Sequence, residues 1–389
     1  MNNVKRALIV SHVASMIDLF NRRNIKILQA MGYEVHIACN FDEGNVTSQE
    51  QVNKFHQEMI NQGVICNNIP FPRRVSAINS ILKSYQKIKH LIKQYGYELV
   101  HCQAPISGVI TRLATRKYRR VGTKVIYVAH GFHFLKGGPI KNWALYYPVE
   151  YICARFTDCI VTINNEDYHR ALGFYKKGGG HIELIPGVGI DVGKFKKDCN
   201  RRNKTLESLG IPVSSNVIVT VGELVPGKNH ITGLKAFALA NLQDTYYVIC
   251  GIGRHEHKLR GIVKHLNIDD KVIFAGYRSD INEINHASNL FLFPSIREGL
   301  PVSVMEAMAA GLPVVCSDVR GNRDLIINGK GGFVIDKYDV EGFSKAIKSL
   351  LCNDKDIEVM SQFNCERILE YDSNIVDKKM RDIYISVLN

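Results

Sequence analysis

The stretch NLFLFPSIREGLPVSVMEAMAAGLPVVCSD, residues 289–318, contains one complete strand–helix–strand unit. The apolar runs at 289–295 and 312–318 are short and rich in Phe, Leu and Val, which is typical of strands buried in a parallel sheet. Between them, Pro301 can occupy the first turn of a helix, and a glycine and a proline can end it, so we expect a helix from about Pro301 to Ala310. The residues expected to pack inward are Met305, Ala309 and Leu312.

Strand-like runs alternate with amphipathic segments of helical length along the whole chain. Such alternation predicts parallel sheets covered by helices on both faces. The Pro/Gly-rich stretch HIELIPGVGIDVGKF (181–195) ends one series, so we expect two doubly wound α/β domains. The predicted helices include Ile17–Met31, Ile78–Tyr95 and Ile106–Tyr118. The predicted strands are 6–11, 34–39, 64–70, 98–102, 124–130 and 159–164 in the first series, and 216–223, 246–251, 271–277, 289–295, 312–318 and 331–335 in the second.

The composition is that of a globular protein with a strong positive charge. Of the 389 residues, 46% are hydrophobic and 22% are charged, and no apolar run is long enough to span a membrane. The first residues do not resemble a signal peptide, and ten cysteines without a C-x-x-C pair favour reduced thiols in the cytosol over disulfides or zinc.

The net charge of +13 is concentrated in two basic stretches, LKSYQKIKHLIKQ (82–94) and RLATRKYRRVGTK (112–124). Such faces can bind an anionic membrane surface or a phosphate-bearing ligand, although solvated helix faces explain them equally well. No nucleic-acid-binding signature accompanies them, so we expect no nucleic acid partner.

Two carboxylates mark the candidate site in the opening stretch. Glu298 precedes the predicted helix, and together with the amides of Gly299 and Leu300 it can meet phosphate or sugar hydroxyls. Glu306 lies inside an apolar helix, where an unpaired charge is costly. Its partner is either a ligand or a nearby arginine or backbone amide, and the sequence leaves both alternatives open.

Further candidates follow other predicted strands. Lys228 in GELVPGKNH (222–230) can reach a phosphate, and HGFHF (130–134) places His130 and His133 after a strand of the first domain. CGIGRHEHKL (250–259) is a glycine turn suited to close backbone approach, but it lacks the spacing of a dinucleotide-binding fingerprint.

These blocks resemble one known family. The Glu298-x7-Glu306 spacing, with GLP after the first acid and EAMAAGLPVV around the second, is similar to the donor-site signature of retaining glycosyltransferases of family 4, also called group 1. VGEL…KNH, CGIG, FAGYRSDI and NLFLFPS match that family's second domain in order and spacing. GYEVHIACN, HCQAPISG, AHGFHF, VTINNED and IPGVGID resemble its bacterial branch that builds capsules and exopolysaccharides. The resemblance covers nearly the whole chain.

The resemblance implies the α/β fold called GT-B, with two Rossmann-like, doubly wound domains facing each other across a cleft. It implies an acceptor-binding domain at 1–192 with 371–389 and a donor-binding domain at 193–370. The segment 371–389 is amphipathic, and in the family its helix crosses back to the first domain. The residues on its apolar face are Ile375, Met380, Ile383, Tyr384 and Val387.

The resemblance also implies roles in donor binding. Glu306 would bind the ribose of a UDP-sugar, and Glu298 would contact hydroxyls of the donor sugar. Lys228 and the amides of Gly299 and Leu300 would hold the diphosphate. The family uses no essential metal, so we expect neither a metal site nor a cofactor. Further donor-side candidates are Glu223, Gly251, Gly253, Arg254, Tyr277 and Arg278, with core packing an alternative for Tyr277.

Across the cleft, His130 would face the positive charge that develops at the anomeric carbon. Asp18 and His133 are weaker candidates for acceptor contacts, and a helix cap is an alternative for Asp18. Many members carry Arg where this chain has Glu223, so Arg297, Arg254 or another base would have to replace that cation. The D-x-D at Asp354–Asp356 precedes a helix, and we interpret it as structural.

The sequence therefore predicts a cytoplasmic, membrane-peripheral glycosyltransferase. It would retain the anomeric configuration while moving a hexose or N-acetylhexosamine from a UDP-sugar to a lipid-linked, polyprenyl diphosphate saccharide. A nucleotide-sugar epimerase or a phosphorylase of the same architecture is one alternative. A non-catalytic nucleotide-sugar-binding partner of another transferase is a second one, and Glu223 is the feature that favours it.

Overall fold

The computed structural model describes residues 4–174, 180–195 and 202–389. The chain forms two compact units: the first runs to Val188 and is completed by Val376–Asn389, and the second is Gly189–Ile375. These limits lie within a few residues of the domain limits expected from the sequence. The acceptor and donor roles assigned to the two domains stay predictions.

The first unit is built on a seven-stranded parallel sheet. Its strand order is β3-β2-β1-β4-β5-β6-β7, so the order reverses between β1 and β4, as in doubly wound folds. The strands are β1 (Arg6–Val13), β2 (Glu34–Asn40), β3 (Ile65–Asn68), β4 (Leu99–Gln103), β5 (Lys124–Ala129), β6 (Cys159–Thr162) and β7 (His181–Leu184). The helices that connect them are α1 (Ala14–Phe20), α2 (Arg22–Ala30), α3 (Gln49–Asn61), α4 (Ile78–Tyr95), α5 (Pro105–Thr115), α6 (Ile140–Ala154) and α7 (Asn165–Leu172).

The helices of this unit agree only in part with the sequence prediction. The helix Ile78–Tyr95 is confirmed, whereas the predicted helix Ile17–Met31 is wrong: two helices meet at Asn21, whose backbone leaves the helical region (φ −126°, ψ −1°). Asparagine competes poorly for helix interiors and favours helix ends, which explains the break. The helix predicted to reach Tyr118 ends as α5 at Thr115, before a short 3₁₀ turn at Tyr118–Val121.

The second unit is built on a six-stranded parallel sheet with the order β10-β9-β8-β11-β12-β13. Its strands are β8 (Asn216–Val221), β9 (Thr245–Cys250), β10 (Val272–Gly276), β11 (Leu290–Phe293), β12 (Val314–Ser317) and β13 (Gly332–Ile335). Its helices are α8 (Arg202–Ser208), α9 (His230–Ala240), α10 (Glu256–His265), α11 (Ile281–Ala287), α12 (Val302–Ala309), α13 (Arg320–Leu325), α14 (Val340–Leu351) and α15 (Asp354–Arg367). The expected α/β architecture of two doubly wound, GT-B units is confirmed.

The strand–helix–strand unit at 289–318 has the expected form. Strands β11 and β12 pair in parallel, and α12 begins after Pro301 and ends before Gly311, which takes the left-handed conformation (φ +77°) that favours glycine at a helix end. The inward packing of α12 is confirmed because its apolar side chains are buried. The buried residues predicted there are Met305, Ala309 and Leu312.

The last helix, α16 (Ser373–Leu388), packs on the first unit. The Tyr384 hydroxyl forms a 2.7 Å hydrogen bond with His101 Nδ1 in β4. Ile375 is 41% exposed, so its place on the apolar face is wrong. The buried apolar residues of the helix are Val376, Met380, Ile383, Tyr384 and Val387.

None of the helices in the described ranges is long and apolar enough to cross a membrane.

Candidate functional site

Lys228 and Glu298 form an ion pair at the carboxyl edge of the second sheet. Lys228 follows β8 and Glu298 follows β11, and these strands are neighbours where the strand order reverses. Lys228 Nζ donates to Glu298 Oε1 at 2.8 Å, and both side chains are largely shielded from solvent. Such switch points are where ligands bind in open α/β sheets, so these two predicted residues lie together at the expected place.

Helix α13 packs against the loop that carries Glu298 and holds it in place. Arg320 Nε donates to the Glu298 carbonyl oxygen at 2.8 Å, and the Arg320 side chain is buried. A Cβ on Gly321 would lie 2.4 Å from the carbonyl oxygen of Gly299, so only glycine allows this contact. The sequence analysis missed Arg320; its position directly after β12 was the available signal.

The amides of Gly299 and Leu300 form no hydrogen bond within the described ranges. They precede α12, where unpaired amides and the helix dipole attract anions. An anionic ligand can therefore accept both bonds without displacing a protein group.

Glu306 lies on α12 with no partner for its carboxylate in the described part of the chain. It is partly buried, and neither a cation nor a hydrogen-bond donor reaches it. Burial raises the pKa of Glu306 to about 7. Of the two alternatives left open by the sequence, satisfaction by an arginine or backbone amide is not found among these residues, which leaves a ligand as the candidate partner.

Gly251 and Gly253 allow one loop of the second unit to pack on another. A Cβ on Gly251 would come within 2.0 Å of the Gly222 carbonyl oxygen, and one on Gly253 within 2.5 Å of the Leu224 carbonyl oxygen. The close backbone approach expected here therefore involves the loop after β8. A contact of these two glycines with the donor stays a prediction.

The charged side chains around these loops do not directly replace the arginine that many family members carry at the position of Glu223. Glu223 is exposed beside the loop, and the exposed Arg254 makes no ion pair with any described residue. Arg278 donates two bonds to Asp280, at 2.8 and 2.5 Å, and lowers the pKa of that carboxyl. Tyr277 is 74% exposed, so the alternative of core packing is wrong.

In the first unit, His130 is held by a chain of hydrogen bonds across three strand ends. A 2.8 Å bond joins His130 Nε2 and Gln103 Oε1, and Gln103 Nε2 donates to Ser11 Oγ at 3.0 Å. Burial lowers the pKa of His130 to about 4, so the imidazole is neutral at pH 7. Gln103 was given no role from the sequence, although it directly follows the strand predicted at 98–102.

A cavity of about 30 Å³ lies beside this imidazole, enough for about one water. His101 lines it, and its Nε2 has no hydrogen-bond partner among the described residues. Burial and His130 lower the pKa of His101 to about 3. The two imidazoles beside this cavity are therefore neutral at pH 7.

The two weaker acceptor candidates have structural contacts. Asp18 lies inside α1 and accepts from Arg22 Nε at 2.5 Å, so the alternative of a helix cap is wrong. Arg22 also binds Glu58, at 2.8 Å. The His133 ring packs 4.8 Å from Tyr146. Acceptor binding by Asp18 or His133 stays a prediction.

The D-x-D segment opens α15. The Asn353 side chain caps this helix and donates to Asp356 Oδ2 at 2.8 Å, which matches the structural interpretation of these acids. No cluster of metal-ligating side chains is found among residues 4–174, 180–195 and 202–389.

Comparison with known proteins identifies the family. Residues 201–366 match the family described as glycosyl transferases group 1, and residues 10–164 match that described as glycosyl transferase 4-like. EpsD of Bacillus subtilis (strain 168), a protein assigned to the glycosyltransferases, is 34% identical over 388 residues, covering 99% of this chain and 97% of EpsD. The UDP-Gal:α-D-GlcNAc-diphosphoundecaprenol α-1,3-galactosyltransferase of Escherichia coli is 29% identical over 332 residues, covering 83% of this chain and 82% of that enzyme.

Among solved structures, Anabaena HepE in complex with UDP-glucose superposes with a TM-score of 0.78 at 16% identity, covering 98% of this chain and 99% of HepE. That likeness shows the fold. The predicted family, its bacterial polysaccharide branch and transferase activity are confirmed. Because EpsD is 34% identical to this chain and covers 99% of it, the chain belongs to the group 1 glycosyltransferases.

Proposed function

We propose that this glycosyltransferase moves a hexose or N-acetylhexosamine from a UDP-sugar to a polyprenyl diphosphate-linked saccharide and retains the anomeric configuration. The observation that carries the proposal is the partly buried carboxylate of Glu306, which has no partner among the described residues and lies on the helix that follows Glu298. The donor and acceptor classes are supported by the name of the Escherichia coli relative. The product would enter capsule or exopolysaccharide synthesis.

In the second unit, each group has a separate task toward the donor. Glu306 accepts hydrogen bonds from ribose hydroxyls, which compensate its buried charge. Glu298 accepts hydrogen bonds from hydroxyls of the sugar, and its pairing with Lys228 holds the carboxylate in place. Lys228 and the amides of Gly299 and Leu300 donate to the diphosphate.

As the sugar–phosphate bond breaks, negative charge accumulates on the departing UDP. Lys228 and the two amides are positioned to stabilise that charge, so the proposed reaction needs no metal ion or other cofactor. Arg320 adds positive charge beneath the same loop through its bond to the Glu298 carbonyl. We propose that it compensates for Glu223, which stands where many family members carry an arginine.

In the first unit, we propose that His130 faces the anomeric carbon. A neutral imidazole does not repel the positive charge that develops there, and the low pKa of His130 keeps it neutral. The bond to Gln103 fixes the ring, which leaves Nδ1 as the nitrogen available to the substrate.

We further propose that the enzyme works at the cytoplasmic face of the membrane, as a peripheral protein. A polyprenyl diphosphate acceptor is anchored in the bilayer, and the basic stretches 82–94 and 112–124 of the first unit are suited to anionic lipid.

The proposed transfer can be tested with purified enzyme, a polyprenyl diphosphate-linked N-acetylglucosamine and a panel of UDP-hexoses and UDP-N-acetylhexosamines. We expect one donor to give a product with the donor's own anomeric configuration, as read by NMR coupling constants. Glu306→Ala should lower transfer at least about 100-fold, whereas Glu341→Ala, an exposed carboxylate on α14, should leave it unchanged.

Transfer with inverted configuration would contradict the retaining mechanism. Interconversion of the UDP-sugar without acceptor would favour an epimerase, and the absence of transfer from every donor would contradict the proposed substrates.

A further inference from the structure

Helix α6 exposes a row of apolar side chains to solvent. Its buried side chains are those of Glu150, Cys153 and Ala154. By contrast, Leu145 is 52% exposed, Val149 36% and Ile152 49%. Because these three residues are spaced i, i+4, i+7, they form one stripe along the helix, which we call the α6 stripe. A helix packed only for stability would bury such a stripe and expose its charges.

The orientation of α6 is fixed by strong contacts on its inner side. Glu150 Oε2 accepts from Arg112 Nη2 of α5 at 2.8 Å, and Glu150 Oε1 accepts from the Tyr127 hydroxyl of β5 at 3.2 Å. Rotating the helix to bury the α6 stripe would separate this buried ion pair, which is costly.

Aromatic packing adds to that restraint. The rings of Trp143 and Tyr147 pack on Phe134, at 5.5 and 5.4 Å between centroids, and Tyr147 also packs on Phe174. The exposed stripe is therefore a stable feature of the fold.

The α6 stripe lies in the most basic part of the molecule. Residues 59–149 contain 14 Lys and Arg and a single acid, Glu98, so this segment alone carries +13, equal to the formal charge of the whole chain. Helices α4, α5 and α6 pack in succession on one face of the first sheet, so they share this charge.

Several of the cations lie close to α6. Arg116, Lys117 and Arg120, at the end of α5, are exposed and make no ion pair with any described residue. Arg119 Nη1 donates to the Arg155 carbonyl at 2.9 Å, which ties this basic turn to the end of α6. Lys141 lies on the exposed side of α6 one turn before Leu145.

The exposed apolar stripe and the nearby cations favour a lipid surface over a second copy of this chain as the partner of α6. An exposed apolar stripe near cations that make no ion pair with any described residue matches a bilayer with anionic headgroups, whose acyl region takes the apolar side chains and whose phosphates take the cations. A second copy of this chain would present the same positive surface and be repelled.

We propose that α6 lies in the interface of an anionic bilayer, with Leu145, Val149 and Ile152 inserted between the acyl chains and Lys141, Arg116, Lys117 and Arg120 at the headgroups. This deepens the peripheral membrane contact of the proposed function by naming the inserting element. Because α6 follows the β5 loop that carries His130, insertion would bring that edge of the first sheet close to the bilayer surface.

A tryptophan on the stripe provides a direct probe. The chain's one tryptophan, Trp143, lies on α6 but packs inward on Phe134, so the probe protein combines Trp143→Phe with Leu145→Trp. The intact wild type and the probe protein would each be mixed with vesicles of equal parts phosphatidylglycerol and phosphatidylcholine, with and without bromine on the acyl chains. We expect both proteins to sediment with these vesicles, and brominated chains to quench the tryptophan emission of the probe protein. Pure phosphatidylcholine vesicles should bind at least about tenfold less protein.

The decisive variant combines Leu145→Ser, Val149→Ser and Ile152→Ser. All three sites are exposed, so the fold should be kept, as checked by thermal unfolding. The partition coefficient should fall at least about tenfold. The matched control combines Leu239→Ser, Val359→Ser and Leu369→Ser, which are equally exposed in the second unit, keep the same charge and should bind as the wild type does.

Each contrary outcome can be recognised. If the stripe variant binds as tightly as the control, or if brominated chains do not quench the tryptophan of the probe protein, insertion by α6 is overturned even where charge alone holds the protein on the vesicle. If the wild type is a dimer without lipid and the stripe variant a monomer, the stripe is a protein interface and the proposal fails. None of these outcomes depends on sugar transfer, so the proposed reaction is tested separately.

Discussion

Glu150 on α6 is buried and Glu306 on α12 is partly buried, and both helices are made largely of apolar residues. Glu150 is paired: Arg112 and Tyr127 both donate to it, and the Arg112 guanidinium lies 3.8 Å from the centre of the Tyr127 ring. Glu306 has no such partner among the described residues, and burial raises the pKa of Glu306 to about 7. The two residues have the same side chain, but the fold supplies partners for the carboxylate of Glu150 and the described residues supply none for that of Glu306.

The difference separates a structural carboxylate from a binding one. A buried acid that serves the fold is compensated by the fold, as Glu150 is, and it then fixes the neighbouring elements. An acid left uncompensated destabilises the empty protein, so its retention indicates that a ligand supplies the missing donors. We therefore expect perturbation of the two sites to change stability in opposite directions.

The largest effect on stability should come from Arg112→Met. This change removes the cation from a fully buried pair and leaves the Glu150 charge without compensation, so the free energy of unfolding should fall by about 3–5 kcal/mol. Chemical denaturation followed by circular dichroism would measure it.

The matched control is Arg119→Met, which breaks the partly exposed pair with Asp158 and should cost about 1 kcal/mol. Equal losses in the two variants would mean that burial of the Arg112–Glu150 pair has no special role.

In contrast to Arg112→Met, the variant Glu306→Gln should have a higher free energy of unfolding than the wild type. The pKa of Glu306 is raised from 4.5 to about 7, so the folded state binds the proton more tightly than the unfolded state does. The contribution of this carboxyl group to the free energy of unfolding is therefore largest below pH 4.5, and it is lost as the pH rises through 7. At pH 8 the glutamine variant should be more stable than the wild type by about 1–3 kcal/mol, and at pH 4.5 the two should be similar.

Urea denaturation of both proteins at the two pH values would measure this difference. A variant less stable than the wild type at pH 8 would reveal a compensating partner for Glu306 and remove the contrast with Glu150.

The smallest effect concerns Glu298, an acid with one partner and some solvent contact. Its pairing with Lys228 should have a coupling energy of about 1 kcal/mol in a double-mutant cycle of Lys228→Met and Glu298→Gln. A coupling near the value expected for the Arg112–Glu150 pair would show that the pair is a structural element of the loop and would place Glu298 with Glu150.

Much of the fold could be predicted because buried parallel strands are short apolar runs. The strand–helix–strand unit at 289–318 and the helix Ile78–Tyr95 both have the expected form. The break at Asn21 could not be located, because the apolar period continues across it. Helix α6 was not singled out because its own apolar residues are distributed around the whole helix and Pro148 lies inside it. Its sequence therefore has no helical period to detect.

The site could be predicted as residue types but not as contacts. Spacing and position after strands singled out Glu298, Glu306, Lys228 and His130. Whether a buried acid has a partner depends on residues distant in sequence, as the 38-residue separation of Arg112 from Glu150 illustrates.

A nucleotide should supply the hydrogen-bond donors that Glu306 does not receive from any described residue, and calorimetric titration of UDP at pH 8 would measure this. We expect the wild type and the exposed control Glu341→Ala to bind UDP equally, and Glu306→Ala to bind at least about 100-fold more weakly. Unchanged UDP affinity in Glu306→Ala would mean that this carboxylate does not hold the nucleotide.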